Sequence, residues 1–188
     1  MSRVVNLRQE PLADAAYVGR ANPRRGLTES IFANPYRVDV DGTREQVIEK
    51  YLKHLLGRQD LLLRLPDLRG RRLACWCSPA PCHADVLVEL VDADEVLDAL
   101  AAAGVAVEAV DGRLRLSPRS AVDEALAARV AAHKPAILSL LASRPDAETL
   151  WRLAVEYVAE RLTLSPEDLA AAKAARVRWV PASRLKDR

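Results

Sequence analysis

Cys75, Cys77, Cys82 and His83 lie within nine residues of one another, in the stretch ACWCSPAPCH, and these are all the cysteines of the chain. Thiolates and imidazole are preferred zinc ligands and four of them complete a tetrahedron, so the C-x-C-x4-C-H spacing marks a candidate Cys3His metal site, with zinc as the candidate cofactor. A second chemistry needs no metal. Cys82 stands at the start of an expected helix, where a thiolate is stabilised, and with His83 as acid/base it is a candidate nucleophile. The third reading is packing, because free cysteine behaves as a small apolar core residue. From the residues alone the three readings stay open.

A second group carries polar recognition rather than reactivity. Asn6, Arg8, Tyr17, Arg20 and Asn34 fall at the ends of expected strands or in a long loop, where arginine clamps phosphate or carboxylate through paired hydrogen bonds. Ordinary loop hydrogen bonding and surface charge compete with that reading. His54, within a helix, and His133, before a proline, read as structural or solvated residues.

These side chains need a scaffold, and the pattern of apolar residues supplies one. Residues 4–7 and 16–19 read as short strands, and residues 20–41, with Pro23, Gly26, Pro35 and the arginines Arg24, Arg25 and Arg37, read as a surface loop. Thr43 and Gln46 form a capping box ahead of a helix that runs to Gly57, with Val47, Ile48, Tyr51, Leu52 and Leu55 at helical spacing. Residues 71–77 predict a buried strand and residues 83–90 a helix, so the cysteines straddle a strand-to-helix junction of the kind where α/β sheets bind ligands. Beyond residue 94 the pattern predicts a helix stopped at Gly104, a hairpin turning at Asp111-Gly112, and two helices divided near Pro135. A further helix is expected over 146–162, then a basic tail over 176–188.

The whole chain fits this scheme. Its 188 residues, 50% apolar and 29% charged, have the balance of a folded globular protein rather than a fibrous or disordered one. The net charge of +2 and an aromatic content of 4% do not argue for nucleic-acid binding by themselves. No run is long and apolar enough for a membrane span, and the N-terminus has no secretory pattern, so a cytoplasmic protein with reduced cysteines is expected. The expected fold class is α/β: a small Rossmann-like domain over 1–91, an α-β-β-α-α module over 92–143, and a helical tail over 144–188.

Val5-Asn6-Leu7-Arg8, Tyr17-Val18-Gly19-Arg20, Asn34-Pro35-Tyr36, Leu68-Arg69-Gly70 and Cys75-Trp76-Cys77-Ser78-Pro79-Ala80-Pro81-Cys82-His83 resemble the family called domain of unknown function 4326, over about residues 3–91. That resemblance implies a small α/β domain from a mobile-element setting, linked to nucleotides, nucleosides or nucleic acids. Leu97, Leu100, Gly104-Val105, Asp111-Gly112, Leu114, Leu116 and His133-Lys134 resemble the N-terminal docking domain of tubulysin-type peptide synthetases, over about 94–143. The second resemblance implies dimerisation through 94–143 and a hairpin, around Asp111-Gly112, that holds a protein partner. Together they imply either an enzyme or binding domain for a phosphorylated ligand, tethered to a docking module, or a zinc-stabilised adaptor with no catalytic role.

Overall fold

The computed structural model describes residues 3–144, 147–162, 165–168 and 170. The basic tail expected over 176–188 lies outside the described residues. The chain falls into two units, residues 1–144 and 145–188, each described by itself.

The first unit is built on a three-stranded parallel sheet, ordered β1 (Val4–Asn6), β3 (Leu73–Cys75), β2 (Ala16–Tyr17). Its short strands pair Val4 with Leu73, Asn6 with Cys75 and Ala16 with Leu73. Because side chains alternate across a strand, Val4, Leu73 and Cys75 enter the large core while Val5 and Ala74 enter a smaller one on the opposite face. The central strand is therefore apolar on both sides, which parallel sheets require.

Helix α1 (Arg44–Leu56) begins at the anticipated capping box: Gln46 N donates to Thr43 Oγ1 and Thr43 N donates to Gln46 Oε1 at 2.9 Å. It buries Val47, Tyr51 and Leu55. The short α2 (Gln59–Leu62) and a 3-10 turn at Leu65–Leu68 lead back to β3. From the end of β3 the chain turns through residues 76–82 into α3 (His83–Ala102). Sequence predicts two helices over this stretch, and the structure has one. Val91-Asp92-Ala93 contains no glycine or proline to break it, and Gly104, at φ 71°, takes the left-handed conformation that ends it.

The hairpin of β4 (Ala106–Val110) and β5 (Arg113–Ser117) turns where expected, with Asp111 and Gly112 both at positive φ, as a two-residue type I′ turn requires. Next come α4 (Glu124–Ala132) and α5 (Lys134–Ala142), which divide at His133. The core that starts at Val4 and Leu73 continues through Leu87, Val91 and Leu100 of α3 to Val130 and Ile137, so the sheet, the helices and the hairpin share one apolar interior. Arg3 pairs with Asp92, and Arg69 pairs with Asp94 and, at 2.7 Å, with Asp98, fixing the middle of α3.

In the second unit α6 spans Ala147–Leu162, and Asp168 N donates to Ser165 Oγ at 3.1 Å in the helix opening expected there. Among the described residues no single helix is long and apolar enough to cross a membrane.

Candidate functional site

The end of β3 and the start of α3 bring the three cysteines together and set His83 beside two of them. Cys75 and Cys77 sulfurs are 3.7 Å apart, Cys82 Sγ lies 3.1 Å from Cys75 Sγ, and all three sulfurs fall within 4.8 Å of one another. Such a group is close enough to hold a metal ion. His83 Nδ1 stands 3.7 Å from Cys75 Sγ and 3.6 Å from Cys82 Sγ. Adjacent Cys82 and His83 converge without distorting the helix, because Cys82 is its extended N-cap (φ −138°, ψ 150°) and His83 its first residue. Cys82 Sγ also accepts a hydrogen bond from Ala84 N, and Asp85 Oδ2 accepts one from Cys82 N at 2.8 Å.

The histidine is oriented from behind. Val18 O accepts from His83 Nε2 at 2.8 Å, which turns Nδ1 toward the sulfurs, in the way that a backbone carbonyl commonly fixes a metal-binding imidazole. Tyr51 packs edge-on against the ring at 5.2 Å, its hydroxyl donating to Phe32 O at 2.6 Å.

The protons of this cluster are unevenly held. Hydrogen bonds from Cys75 and then Cys82 and His83 push the Cys77 thiol far below its ordinary value. Donating to Cys75 and Cys77, together with burial, pushes the Cys82 thiol far up. Burial opposes charge on His83, but hydrogen bonding to Cys75 and Cys77, the Cys75 charge and the Val18 carbonyl outweigh it and raise the imidazole to about 9. Without metal these shifts favour negative charge on Cys77 and positive charge on His83. Of the three sulfurs, Cys77 is the half-buried one, while Cys75 and Cys82 are buried.

Above the cluster opens a cleft of about 570 Å³, lined by all three cysteines, His83, Trp76, Asn34, Tyr36 and five arginines: Arg8, Arg20, Arg24, Arg25 and Arg44. No carboxylate lines it among the described residues. Of the polar residues singled out from sequence, Arg8, Arg20 and Asn34 reach this wall, and Asn6 and Tyr17 do not. Most of that group holds loops together. Arg20 Nε donates to Asn34 O at 2.8 Å and its Nη2 donates to Tyr36 O. Asn34 Oδ1 accepts from Tyr36 N, and Asn34 Nδ2 donates to Val47 O. Asn6 Nδ2 donates to Ser78 O, pinning the cysteine loop to β1, while Tyr17 OH donates to Arg20 O and accepts from Trp76 Nε1 at 3.0 Å. Among the described residues the Arg8 and Arg24 side chains have no such partner.

Arg24 and Arg25 entered the sequence reading only as loop composition, and Arg44, Trp76 and Tyr51 carried no role there. The density of arginine between residues 20 and 44 was the available signal. His54 meets Tyr36 edge-on at 6.2 Å, and His133 Nδ1 lies 3.1 Å from Glu89 Oε1, both outside the cluster.

Residues 5–93 match the family described as Domain of unknown function (DUF4326). Over 92 residues the chain is 33% identical to the protein named Uncharacterized protein R718 of Acanthamoeba polyphaga mimivirus, a match that covers 44% of this chain and 70% of that protein. The chain belongs to the DUF4326 family. A further relative is the Uncharacterized 12.4 kDa protein in nrdA-td intergenic region of Enterobacteria phage T4, 38% identical over 55 residues, covering 27% of this chain and 51% of the relative. No solved structure matches the chain. The DUF4326 match contains the cysteine cluster and every residue of the cleft wall. Residues 94–142 match the TubC N-terminal docking domain, which suggests interaction with a protein partner. The two matches meet between Ala93 and Asp94, within the unbroken α3.

Proposed function

We propose that the DUF4326 portion binds a phosphorylated, nucleotide-related ligand in the arginine cleft, and that Cys75, Cys77, Cys82 and His83 form a zinc centre supporting its floor. The observation that carries the first half is a wall with five arginines and no carboxylate. Arginine's planar fork suits phosphate oxygens, and clustered like charges in a concave, partly desolvated wall raise the local potential that draws in an anion. Arg8 and Arg24, which bond to nothing else, are the free donors. Arg20 and Asn34 shape the wall by holding residues 34–36 against it. The parallel sheet with the cleft at its carboxyl edge supports the Rossmann-like reading of this portion.

The donor set supports zinc. A tetrahedron with Zn–S of about 2.3 Å and Zn–N of about 2.0 Å has S···S edges near ~3.7 Å and S···N edges near ~3.5 Å. Cys75–Cys77 at 3.7 Å and the His83 separations from Cys75 and Cys82, at 3.7 and 3.6 Å, are close to these; the Cys75–Cys82 pair, at 3.1 Å, would open slightly, and His83, which stands outside the three-sulfur group, would close on Cys77. Four protein ligands close the shell, which is the character of a structural site rather than a catalytic one. Zinc supplies charge neutralisation and a cross-link there. In the same reading the residues act by holding β3, the cysteine loop and α3 in register beneath the arginines. A catalytic role for Cys82 with His83 belongs to the metal-free alternative.

Isothermal titration with inorganic phosphate and with nucleotides tests the cleft. Arg8→Ala with Arg24→Ala is expected to weaken binding at least about ten-fold, and binding should fall with salt. Unchanged affinity in the double variant sinks the reading. Elemental mass spectrometry is expected to find about one zinc per chain, falling to near zero in Cys75→Ser and Cys82→Ser. A metal-free native protein with one fast-reacting thiol would replace the zinc centre by an activated cysteine.

The docking match favours a second reading, an adaptor in which β4–β5 and residues 94–143 hold a partner or a second copy of the chain. It predicts twice the single-chain mass for the full chain in light scattering. A monomer mass removes the dimer.

A further inference from the structure

Trp76 has no part in the cysteine cluster, yet it lines the cleft. Its indole nitrogen is fixed by Tyr17 OH at 3.0 Å, and one edge packs beside Val5, Leu7 and Ala74. The plane of the ring is therefore set by the sheet. Arg25 lies over that plane, with its guanidinium carbon 5.2 Å from the ring centroid, and makes one weak hydrogen bond, to Leu7 O at 3.4 Å. Both residues line the cleft, and both also line an adjoining groove of about 190 Å³ whose other walls are Leu7, Pro11, Leu12, Leu27 and Glu10. A flat, half-exposed aromatic face thus stands between an arginine-rich cavity and a mainly apolar one, covered by a single planar group with little else to hold it.

We propose that Trp76 is the specificity-determining residue of this site, stacking the base of a nucleoside phosphate whose phosphate meets Arg8 and Arg24. The inference rests on the phosphorylated-ligand reading above and names its second half, the class of group that accompanies the phosphate. A planar guanidinium stacks on indole for the same reasons that a nucleobase does, through the ring's π face and the flat apolar area removed from water. The base takes the position of Arg25, which moves off the ring into solvent, and the apolar groove receives the ring's far edge. A sugar phosphate without a base gains nothing from Trp76.

Titrations of the full chain with adenosine 5′-monophosphate and with ribose 5-phosphate, followed by calorimetry, separate the two halves. The nucleotide is expected to bind about ten-fold or more tightly than the sugar phosphate, since one base on an aromatic side chain contributes roughly that factor. Trp76→Phe should keep the preference, Trp76→Leu should bring the ratio near one with ribose 5-phosphate affinity unchanged, and Arg25→Ala should raise the ratio by uncovering the ring. Arg25→Ala leaves the indole in place, so it remains informative if Trp76→Leu does not fold. Equal affinity for the two ligands in the unaltered protein overturns the stacking role and leaves the phosphate reading standing. A ratio that falls in Arg25→Ala overturns it as well, since Arg25 would then be the contact. If neither ligand binds, both readings fall together.

Discussion

His83 and Cys77 hold opposite charges in the metal-free cluster, and that pairing sets how stability depends on pH. In the folded chain the Cys77 thiol is pushed below its ordinary 9.0, His83 is raised to about 9 instead of 6.5, and the Cys82 thiol is pushed above 9.0. Below pH 6.5 the unfolded chain holds one proton more, on Cys77, so the cluster's contribution rises with pH. Between 6.5 and 9 each state holds one proton of the pair, on His83 when folded and on Cys77 when unfolded, and the contribution is flat. Above 9 the unfolded chain sheds the Cys82 proton that the folded chain retains, and stability falls; buried Tyr51, whose hydroxyl is also pushed up, adds to the fall. Urea midpoints of reduced, chelated protein at about pH 5.5, 7.5 and 9.5 should therefore be highest at the middle value. A midpoint that keeps climbing to the highest pH would contradict the thiolate–imidazolium pair.

The elements differ in how local their causes are, and Thr43 is the most local. Both bonds of its capping box lie within four residues, so Thr43→Ala should destabilise the chain by about 1 kcal/mol, read as a thermal shift. That locality is why α1 was legible in the sequence, as was the Asp111-Gly112 turn, where both residues take positive φ. The junction of α3 was not, because a change in composition near residue 94 reads as a boundary while helix continuity depends only on the absence of a breaker. Nearest-neighbour pattern likewise placed Cys75, Cys77, Cys82 and His83 together, since seven intervening positions and a strand-to-helix turn allow little else. It could not separate Arg8 and Arg24, which stay unbonded, from Arg20, whose donors are taken by carbonyls fourteen and sixteen residues away. Nor could it find Val18 O or Tyr51 behind His83, contacts that exist only once β2 and α1 have packed.

At the scale of the first unit, α3 ties the cysteine cluster to the docking portion. Its first residue faces the cluster, its middle is held by Arg3 and Arg69, and its C-terminal half shares a core with Val130 and Ile137. No apolar boundary separates the two family matches, so the unit should unfold as one. Ile137 is fully buried and lies far along the chain from the sheet. Ile137→Ala should cost about 2–5 kcal/mol through the lost methylenes and the cavity they leave. If the unit is one cooperative block, hydrogen exchange in that variant accelerates at β3 as much as at α5, because the amides of both open through the same global unfolding. Independent modules give a different result, with faster exchange confined to the hairpin, α4 and α5 while β3 keeps its protection. Shared acceleration would mean that a partner gripping the hairpin also stabilises the fold beneath the arginine cleft, by the mass action of binding to the folded state alone.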